Sequence, residues 1–344
     1  MVVRDARPDA APSRPDVEVV TALRRRPALA VLAFAGLLAV EIAPHFLGAY
    51  AREILYRFVV GAVLAEAWNV LAGDAGLVSL GTSSAVGLGA YVAVGAMNSN
   101  GISIALAIGV AAAAGAALAT LASPGLLRLR GLYFTVGTLA LAEMLRLIMI
   151  NADRFGGATG LFLDRDSPRV ATLVRIAGAL LGIAWGLIYV SGATRLSVSL
   201  RAVRDDEDAA AQIGIRAVRL KFLVFVVASA LMAAVGALQA LKLEAVEPYG
   251  MFGLGWSIDT LAMVIIGGLG QRLGAVIGAA VMVLSGEWLA NYPQIHLALT
   301  GALLIAMTRF APRGLAGLAS DAGAGARRAW RRRAWRRRAR SGDP

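Results

Sequence analysis

A densely charged stretch in the middle of an otherwise apolar chain is the first candidate for chemistry. It reads "LRAVRDDEDAAAQIGIRAVRLK" over residues 200–221, between apolar runs of membrane length. Its composition predicts a helix from Arg201 to Gly214, with acidic residues early and Gly214 as the stop. The helix is too polar to enter lipid and too short to form a domain. We expect it on the membrane surface, where Ala209–Ala211 and Ile213 offer a face to a partner; a solvated connecting loop is the alternative.

Polar side chains inside the apolar segments are the second candidate, because a charge at the membrane centre costs at least ~2.5–3.5 kcal/mol. Glu66 and Asn69 stand three residues apart, which places them on one face of a helix. Glu143 and Arg146 repeat that spacing, which predicts an internal ion pair. For Glu66, a structural role and a role in a solute pathway stay equally open.

Two apolar segments are interrupted by glycine, at 73–96 and 263–281. Glycine-broken segments in both halves of a transporter are typical of an internal repeat with a solute path between the halves. Each glycine can equally serve close helix contact alone. Hydroxyl side chains in the first segment are placed to satisfy a broken backbone or to line a polar route, at Ser79, Thr82, Ser83 and Ser84. The candidate pathway residues are Glu66, Asn69, Gly76, Ser79, Gly81, Ser83, Ser84, Gly267, Gly268 and Gly270.

Several kinds of site are not expected in this chain. It contains no cysteine, so disulfides, thiolate metal sites and cysteine nucleophiles are excluded. His45 and His296 are isolated, with no carboxylate cluster at ligand spacing, so no metal site is expected. The two lysines, Lys221 and Lys242, follow no GxxxxGK[ST] glycine run, the pattern that cradles the phosphates of ATP. We therefore expect no catalytic residue and no cofactor bound by the chain itself.

The elements that must position these residues are membrane helices. Of 344 residues, 58% are hydrophobic and 16% are charged, against about 25% charged in soluble domains. Apolar segments close to the ~20 residues that span a bilayer recur along the chain. They fall at about 28–47, 54–72, 77–97, 102–123, 132–150, 171–190, 219–241, 258–270, 273–290 and 295–310. This predicts an all-α integral membrane protein of about ten spans, or eight to ten if a segment is re-entrant.

Short basic loops indicate which ends of these spans face the cytoplasm. They place both termini inside and the polar 151–170 loop outside. The chain is accordingly divided into a cytoplasmic N-terminal segment over 1–27, a transmembrane domain over 28–310 and a cytoplasmic tail over 311–344. The charged stretch forms a cytoplasmic loop over 195–219 within the transmembrane domain.

The tail is strongly basic, with nine arginines between Arg327 and Arg340 and two interleaved tryptophans. Arginine with tryptophan can stack on nucleic-acid bases and neutralise phosphates. Beside a membrane helix, anionic lipid is nearer, and each basic residue near such a surface contributes about 1 kcal/mol. We therefore expect membrane lipids, and no nucleic acid, as the partner of the tail.

Six stretches of the sequence resemble one family and keep its order along the chain. "DAAAQIG", Asp208–Gly214, is similar to the EAA-xxx-G signature of ABC importer permeases. The other stretches are "AEAWNVLAGDAGLVSLGTSSAVGLGAYVAV" at 65–94, "LRLRGLYFTVGTLALAEMLRLIMIN" at 127–151, "GGATGL" at 156–161, "MVIIGGLGQRLGAVIGA" at 263–279 and "RFAPRGLAGL" at 309–318. Together they resemble the branched-chain amino acid ABC transporter permeases of LivM type over roughly 60–318.

The resemblance implies a permease subunit of an ABC importer in a bacterial cytoplasmic (inner) membrane, not an enzyme. It implies a second homologous permease subunit, cytoplasmic ATPase subunits that bind the ATP, and an extracytoplasmic solute-binding protein. Branched-chain or related amino acids are the implied solutes. The charged stretch would be the coupling helix that docks on the ATPase, through Arg201, Arg204, Asp206, Glu207, Asp208, Ala209, Ala210 and Gly214.

Two other functions stay open on the residues alone. An ion-gradient-driven secondary transporter of a small solute would need an ion site in a broken helix, for which Glu66, Asn69 and Asp74 are the candidates. A membrane-embedded enzyme would need converging acid, base or nucleophile groups. Glu66 with Ser79 or Ser83 is the one such set in the sequence, and no histidine accompanies it.

Overall fold

The computed structural model describes residues 34–164, 168–271, 273–311 and 313–318. The predicted N-terminal segment, 1–27, and the arginine cluster of the tail lie outside the described residues. Most described residues are helical. In that part of the chain, the one sheet is a two-stranded antiparallel pair that joins Leu161 to Val246 and Phe162 to Ala245.

The helices are numbered in chain order. They are α1 (Phe34–Phe46), α2 (Ala49–Asn69), α3 (Thr82–Asn100), α4 (Ile104–Leu126), α5 (Leu132–Ile150), α6 (Val170–Ala193), α7 (Arg195–Asp205), α8 (Glu207–Gln212), α9 (Ala217–Leu243), α10 (Pro248–Met251), α11 (Gly255–Gly267), α12 (Gly274–Trp288) and α13 (Pro293–Phe310). A π-helical turn, Val70–Asp74, continues α2, and β1 (Leu161–Phe162) pairs with β2 (Ala245–Val246).

Within the described residues, six helices or helix pairs are long and apolar enough to cross a membrane. They are Ala49–Asp74, Ile104–Leu126, Leu132–Ile150, Val170–Ser191, Ala217–Leu243 and Pro248–Gly267. Three apolar helices are shorter, at Phe34–Phe46, Gly274–Trp288 and Leu297–Phe310. The predicted class, an all-α protein with several membrane helices, is confirmed, and the count of about ten spans stays a prediction.

The core forms where α9 packs against α3 and α4. Their backbones touch at glycines: a Cβ on Gly89 would lie 2.0 Å from the carbonyl oxygen of Ala233, and one on Gly236 would lie 2.0 Å from that of Val86. Small residues at such contacts let membrane helices approach closely. Helix α2 packs against α6 and α12, and also contacts α9. Of the helices that carry candidate residues, α2, α3, α7 and α8 contact α9, whereas α11 packs against α2, α3 and α12.

Two expectations from the sequence need adjustment at this level. The span expected at 77–97 does not begin there: residues 75–81 are not helical and α3 starts at Thr82, because Gly76 has a φ of +72° that ends regular helix. The ion pair between Glu143 and Arg146 is formed, with Arg146 Nε donating to Glu143 Oε2 at 2.9 Å. It lies on an exposed face of α5 rather than inside the bundle, since the Glu143 side chain is 50% exposed.

Candidate functional site

The charged stretch folds as two short helices rather than the single helix expected from Arg201 to Gly214. The chain breaks at Asp206, whose backbone is extended with φ −156° and ψ 110°. Its carboxylate Oδ1 accepts hydrogen bonds from the backbone N–H groups of Asp208 at 3.0 Å and Ala209 at 2.9 Å. This is an N-cap, in which a short polar side chain competes with the helix for the backbone donors. Asp206 therefore ends α7 and starts α8.

Gly214 stops α8 as the sequence predicted. It has a φ of +84°, in the left-handed region where glycine is favoured. Its N–H donates to the carbonyl of Ala211 at 3.0 Å, and the N–H of Ile215 donates to that of Ala210 at 3.0 Å. These two bonds form a Schellman motif, and Ile215 packs beside the buried Ala210 as such motifs favour.

Ion pairs tie α8 to the rest of the bundle. Glu207 Oε2 lies 2.6 Å from Lys221 Nζ at the start of α9, with both side chains largely buried. Asp208 lies 3.2 Å from Arg130 Nη2 in the α4–α5 connection. The hydrogen bond to Asp208, with the charges of Asp208 and Glu207, raises the pKa of Arg130. The outward face of α8 stays open, and the Ile213 side chain at its end is 75% exposed.

Arg204, in the last turn of α7, reaches into the membrane domain. Its Nη1 donates to the carbonyl oxygen of Gly73 at 2.6 Å, on the π-helical turn that ends α2. Its Nε and Nη2 donate to Asp205 at 3.1 Å each, which orients the guanidinium. A Cβ on Gly76 would lie 2.9 Å from Arg204 Cγ, so glycine leaves room for this side chain. The charged stretch thus contacts the first glycine-broken segment directly.

Asn69, one turn before Gly73, connects the end of α2 to the second glycine-broken segment. Its Oδ1 accepts from the N–H of Gly270 at 2.8 Å, and its Nδ2 donates to the carbonyl of Gln271 at 3.2 Å. Gly73 and Gly270 are in close contact, since a Cβ on Gly73 would lie 2.7 Å from the Gly270 nitrogen. We call Asn69, Gly73, Gly76, Arg204, Gly270 and Gln271 the glycine junction. It brings together three regions that are far apart in the sequence.

Residues 75–81 are not helical, and side chains of neighbouring helices form hydrogen bonds with their backbone. Trp68 Nε1 donates to Ser79 O at 2.8 Å, and Thr135 Oγ1 to Val78 O at 2.7 Å. The N–H of Leu80 donates to Thr138 Oγ1 at 3.1 Å, and Ser257 Oγ donates to Leu80 O at 2.7 Å. Unpaired backbone groups are costly inside a membrane protein, and these bonds remove that cost.

The predicted pathway serines divide into two kinds. Ser79 Oγ accepts from the N–H of Gly81 at 3.0 Å, and Ser84 Oγ donates to Gly81 O at 2.5 Å. The hydroxyls of Thr82 and Ser83 are buried with no hydrogen-bond partner. The first two satisfy a broken backbone, one of the two roles expected for them, and the second two are free to bond a solute or water.

The predicted glycines of the second segment act mainly through close contact. A Cβ on Gly267 would lie 1.8 Å from Gly274 O, and one on Gly268 would lie 2.5 Å from Arg313 O. Gly268 and Gly270 also have positive φ, at +123° and +72°. The turn between α11 and α12 therefore requires glycine for two reasons: its backbone has positive φ, and neighbouring backbone atoms leave no room for a Cβ.

Glu66 is buried apart from this junction. It is 1% exposed, and its Oε1 accepts from Trp185 Nε1 on α6 at 3.2 Å. Glu66 and Asn69 thus have different partners, although their spacing had placed them on one helix face. No hydrogen bond joins Glu66 to Ser79 or Ser83 in the described part of the chain, so the set proposed for an enzyme does not converge.

Sequence reasoning missed the side chains that hold the site from other helices. Trp68, Thr135, Thr138 and Ser257 bond residues 75–81, and Trp185 bonds Glu66. The i, i+3 pair of threonines on α5 was a detectable signal, because hydroxyls on one face of a membrane helix seek polar partners. Trp185 gave no such signal.

Comparison with known proteins shows that residues 50–308 match the model of a protein family described as "Branched-chain amino acid transport system / permease component". The chain is 25% identical over 313 residues to the high-affinity branched-chain amino acid transport system permease protein LivM of Salmonella typhimurium strain LT2, covering 81% of this chain and 73% of that protein. It is 25% identical over 297 residues to the LivM of Escherichia coli K12, covering 76% and 69%. No solved structure matches the chain.

Proposed function

The chain belongs to the branched-chain amino acid transport system permease family, and from this premise we propose that it is the translocating subunit of an ABC importer for branched-chain or related small amino acids. The relatives of similar sequence are named as high-affinity branched-chain amino acid permeases. The proposed location is a bacterial inner membrane. The proposed partners are a second homologous permease subunit, cytoplasmic ATPase subunits and an extracytoplasmic solute-binding protein.

The glycine junction is the observation that carries the mechanism. Arg204 belongs to the charged stretch, and its guanidinium bonds Gly73 beside Gly270. Movement of α7 and α8 would therefore pull on both glycine-broken segments at one point. We propose that ATP, bound and hydrolysed by the partner ATPases, drives this movement.

The surface proposed to meet the ATPase is the exposed face of α8. Ala209 and Ile213 are exposed there, and Arg201 is exposed on the preceding helix α7, whereas Ala210 faces inward and is 2% exposed. The caps at Asp206 and Gly214 fix the length of α8, and the ion pairs of Glu207 and Asp208 fix its position. A short helix whose ends are capped and whose side chains form ion pairs can move as a rigid unit, because its end turns stay folded. Displacement of α8 by the ATPase would therefore be passed on to the membrane helices.

The solute path is proposed to pass the meeting point of α3 and α11. There Ser257 Oγ accepts from the N–H of Ser83 at 3.3 Å, at the start of both helices. Half-helix starts of this kind carry partial positive charge and suit the carboxylate of an amino acid. The free hydroxyls of Thr82 and Ser83 lie at the same place.

Reconstitution of the complete importer with Arg204→Gln tests this function. We expect ATP-driven uptake to fall at least tenfold while the ATPase subunits still co-purify, because the glutamine cannot keep both the bond to Gly73 and the bonds to Asp205. Arg219→Gln is the matched control, since it removes the same charge from an exposed position at the start of α9 without touching the junction.

Three outcomes count against the proposal. Uptake by this chain alone, driven by an ion gradient without ATP, would favour a secondary transporter. Uptake by the Arg204→Gln importer at the wild-type rate would remove the junction from the mechanism. An equal loss in Arg219→Gln would mean that positive charge on this face of the chain, not the contact with Gly73, is what matters.

A further inference from the structure

An apolar cavity of about 290 Å³, open on one side, lies between α2, α6, α7 and α9, and its lining contains none of the residues of the glycine junction. Apolar side chains make up most of its lining, among them Leu187, Leu200, Leu223 and Leu231. Leu187 and Leu223 are 43% and 47% exposed, which places its mouth between α6 and α9 on the apolar surface of the bundle. A ligand would enter it from the lipid side.

Among the side chains that the structure describes, Glu66 is the one ionisable group in the lining of this cavity. Its Oε1 is held by Trp185, whereas its Oε2 is buried with no hydrogen-bond partner. The two other polar side chains of the described lining already donate hydrogen bonds to backbone carbonyls. Ser191 Oγ donates to Ile188 O at 2.9 Å, and Thr194 Oγ1 donates to Ser191 O at 2.9 Å. One carboxyl oxygen of a residue that lines the apolar cavity is therefore buried and unpaired.

We propose that this cavity binds a small hydrophobic amine whose ammonium group pairs with Oε2 of Glu66. An unpaired buried polar atom is costly, and a ligand that supplies a donor removes that cost. An ammonium group with a carboxylate leaves no net charge in the cavity, and a charge-assisted hydrogen bond is stronger than a neutral one. The apolar lining accepts the hydrocarbon part of the same molecule.

The cavity also sets the size of the ligand. At roughly 30 Å³ for each water-sized group, 290 Å³ holds on the order of ten non-hydrogen atoms. An eight-carbon amine fits that estimate. Its chain would contact Leu196 and Leu200 of α7, so that occupancy bears on the helix that carries Arg204.

The test uses three probes of equal chain length: octylamine, octanol and octanoate. Binding of each labelled probe is measured to the full-length chain in phosphatidylcholine nanodiscs, with empty nanodiscs subtracted. We expect one saturable octylamine site for each chain, with at least tenfold higher affinity than for octanol and no saturable binding of octanoate, whose carboxylate would face that of Glu66. Equal binding of all three would mean an unselective lipid groove and would overturn the proposal.

Variants locate the site. Glu66→Gln keeps an acceptor for Trp185, and we expect it to lower octylamine affinity to the level of octanol. Glu287→Gln is the matched control on α12, where the carboxylate pairs with Tyr50 outside this cavity, and it should change nothing. Leu187→Trp narrows the mouth with Glu66 intact and should abolish octylamine binding. Unchanged octylamine binding in either Glu66→Gln or Leu187→Trp contradicts the site.

Discussion

In the first glycine-broken segment, side chains from neighbouring helices bond the backbone of residues 75–81, whereas in the second the backbones of α11 and α12 touch directly. The closest approach in the second is at Gly278, where a Cβ would lie 1.6 Å from Met263 O. Residues 75–81 of the first segment exchange helix hydrogen bonds for side-chain hydrogen bonds. The second segment gives up side chains for close packing, as Gly89 on α3 also does against Ala233. Similar glycine content thus reflects two physical requirements, a non-helical backbone at 75–81 and close backbone contact between α11 and α12. We expect the two segments to respond differently to mutation.

The largest effect is expected in the second segment. Gly278→Ala places a methyl group 1.6 Å from a backbone carbonyl oxygen, which nothing flexible can relieve. Overpacking of this kind costs about 3 kcal/mol or more in the free energy of unfolding. Reversible unfolding in mixed micelles measures it.

Gly109→Ala on α4 is the matched control, since a Cβ there has nothing within 4 Å. Alanine favours helix over glycine by roughly 0.5–1 kcal/mol, so the control should be unchanged or slightly more stable. Similar losses in both variants would contradict the packing account of the second segment.

A smaller effect is expected in the first segment. Ser257→Ala removes the donor to Leu80 O and the acceptor of the Ser83 N–H. Leaving such buried groups unpaired costs about 1–3 kcal/mol. Ser285→Ala is its control on α12, because that hydroxyl bonds only a carbonyl of its own helix, Met282 O. If both serines can be replaced at equal and small cost, residues 75–81 do not depend on side-chain bonds.

The smallest effect is expected at the end of α8, outside both segments. Gly214→Ala forces an ordinary side chain into φ +84° at a cost of roughly 1–2 kcal/mol. Gly214→Asn adds a similar Cβ in equally open space but tolerates this backbone better. We expect the melting temperature of Gly214→Asn to lie between those of the wild type and Gly214→Ala. Identical melting temperatures for the two variants would contradict the conformational explanation.

Local features of this molecule could be predicted from sequence, and long-range ones could not. The stop at Gly214 and the Glu143–Arg146 pair depend on residues close together in the chain, so composition and spacing were sufficient. The break at Asp206 was also local and was missed, although aspartate is a favoured N-cap.

The contacts that assemble the site depend on tertiary packing. Arg204 and Gly73 are 131 residues apart, and Trp185 and Glu66 are 119 apart. No periodicity or motif in one sequence specifies which helix faces which, so Arg204 and Glu66 were identified as candidates without their partners, and Trp185 was not identified at all. The glycine junction therefore emerged only from the fold.

Cross-linking of α8 to the ATPase tests the central claim most directly. The sequence has no cysteine, so Ile213→Cys introduces a unique thiol at the exposed end of α8, and Phe162→Cys introduces one on β1, separated from it by the length of α6. In the assembled importer, we predict that a short thiol-to-amine cross-linker joins the Ile213→Cys chain to the ATPase subunit, with a yield that changes when ATP binds, and leaves the Phe162→Cys chain unlinked. No ATPase adduct at Ile213→Cys, or equal yields at both positions, would contradict the account.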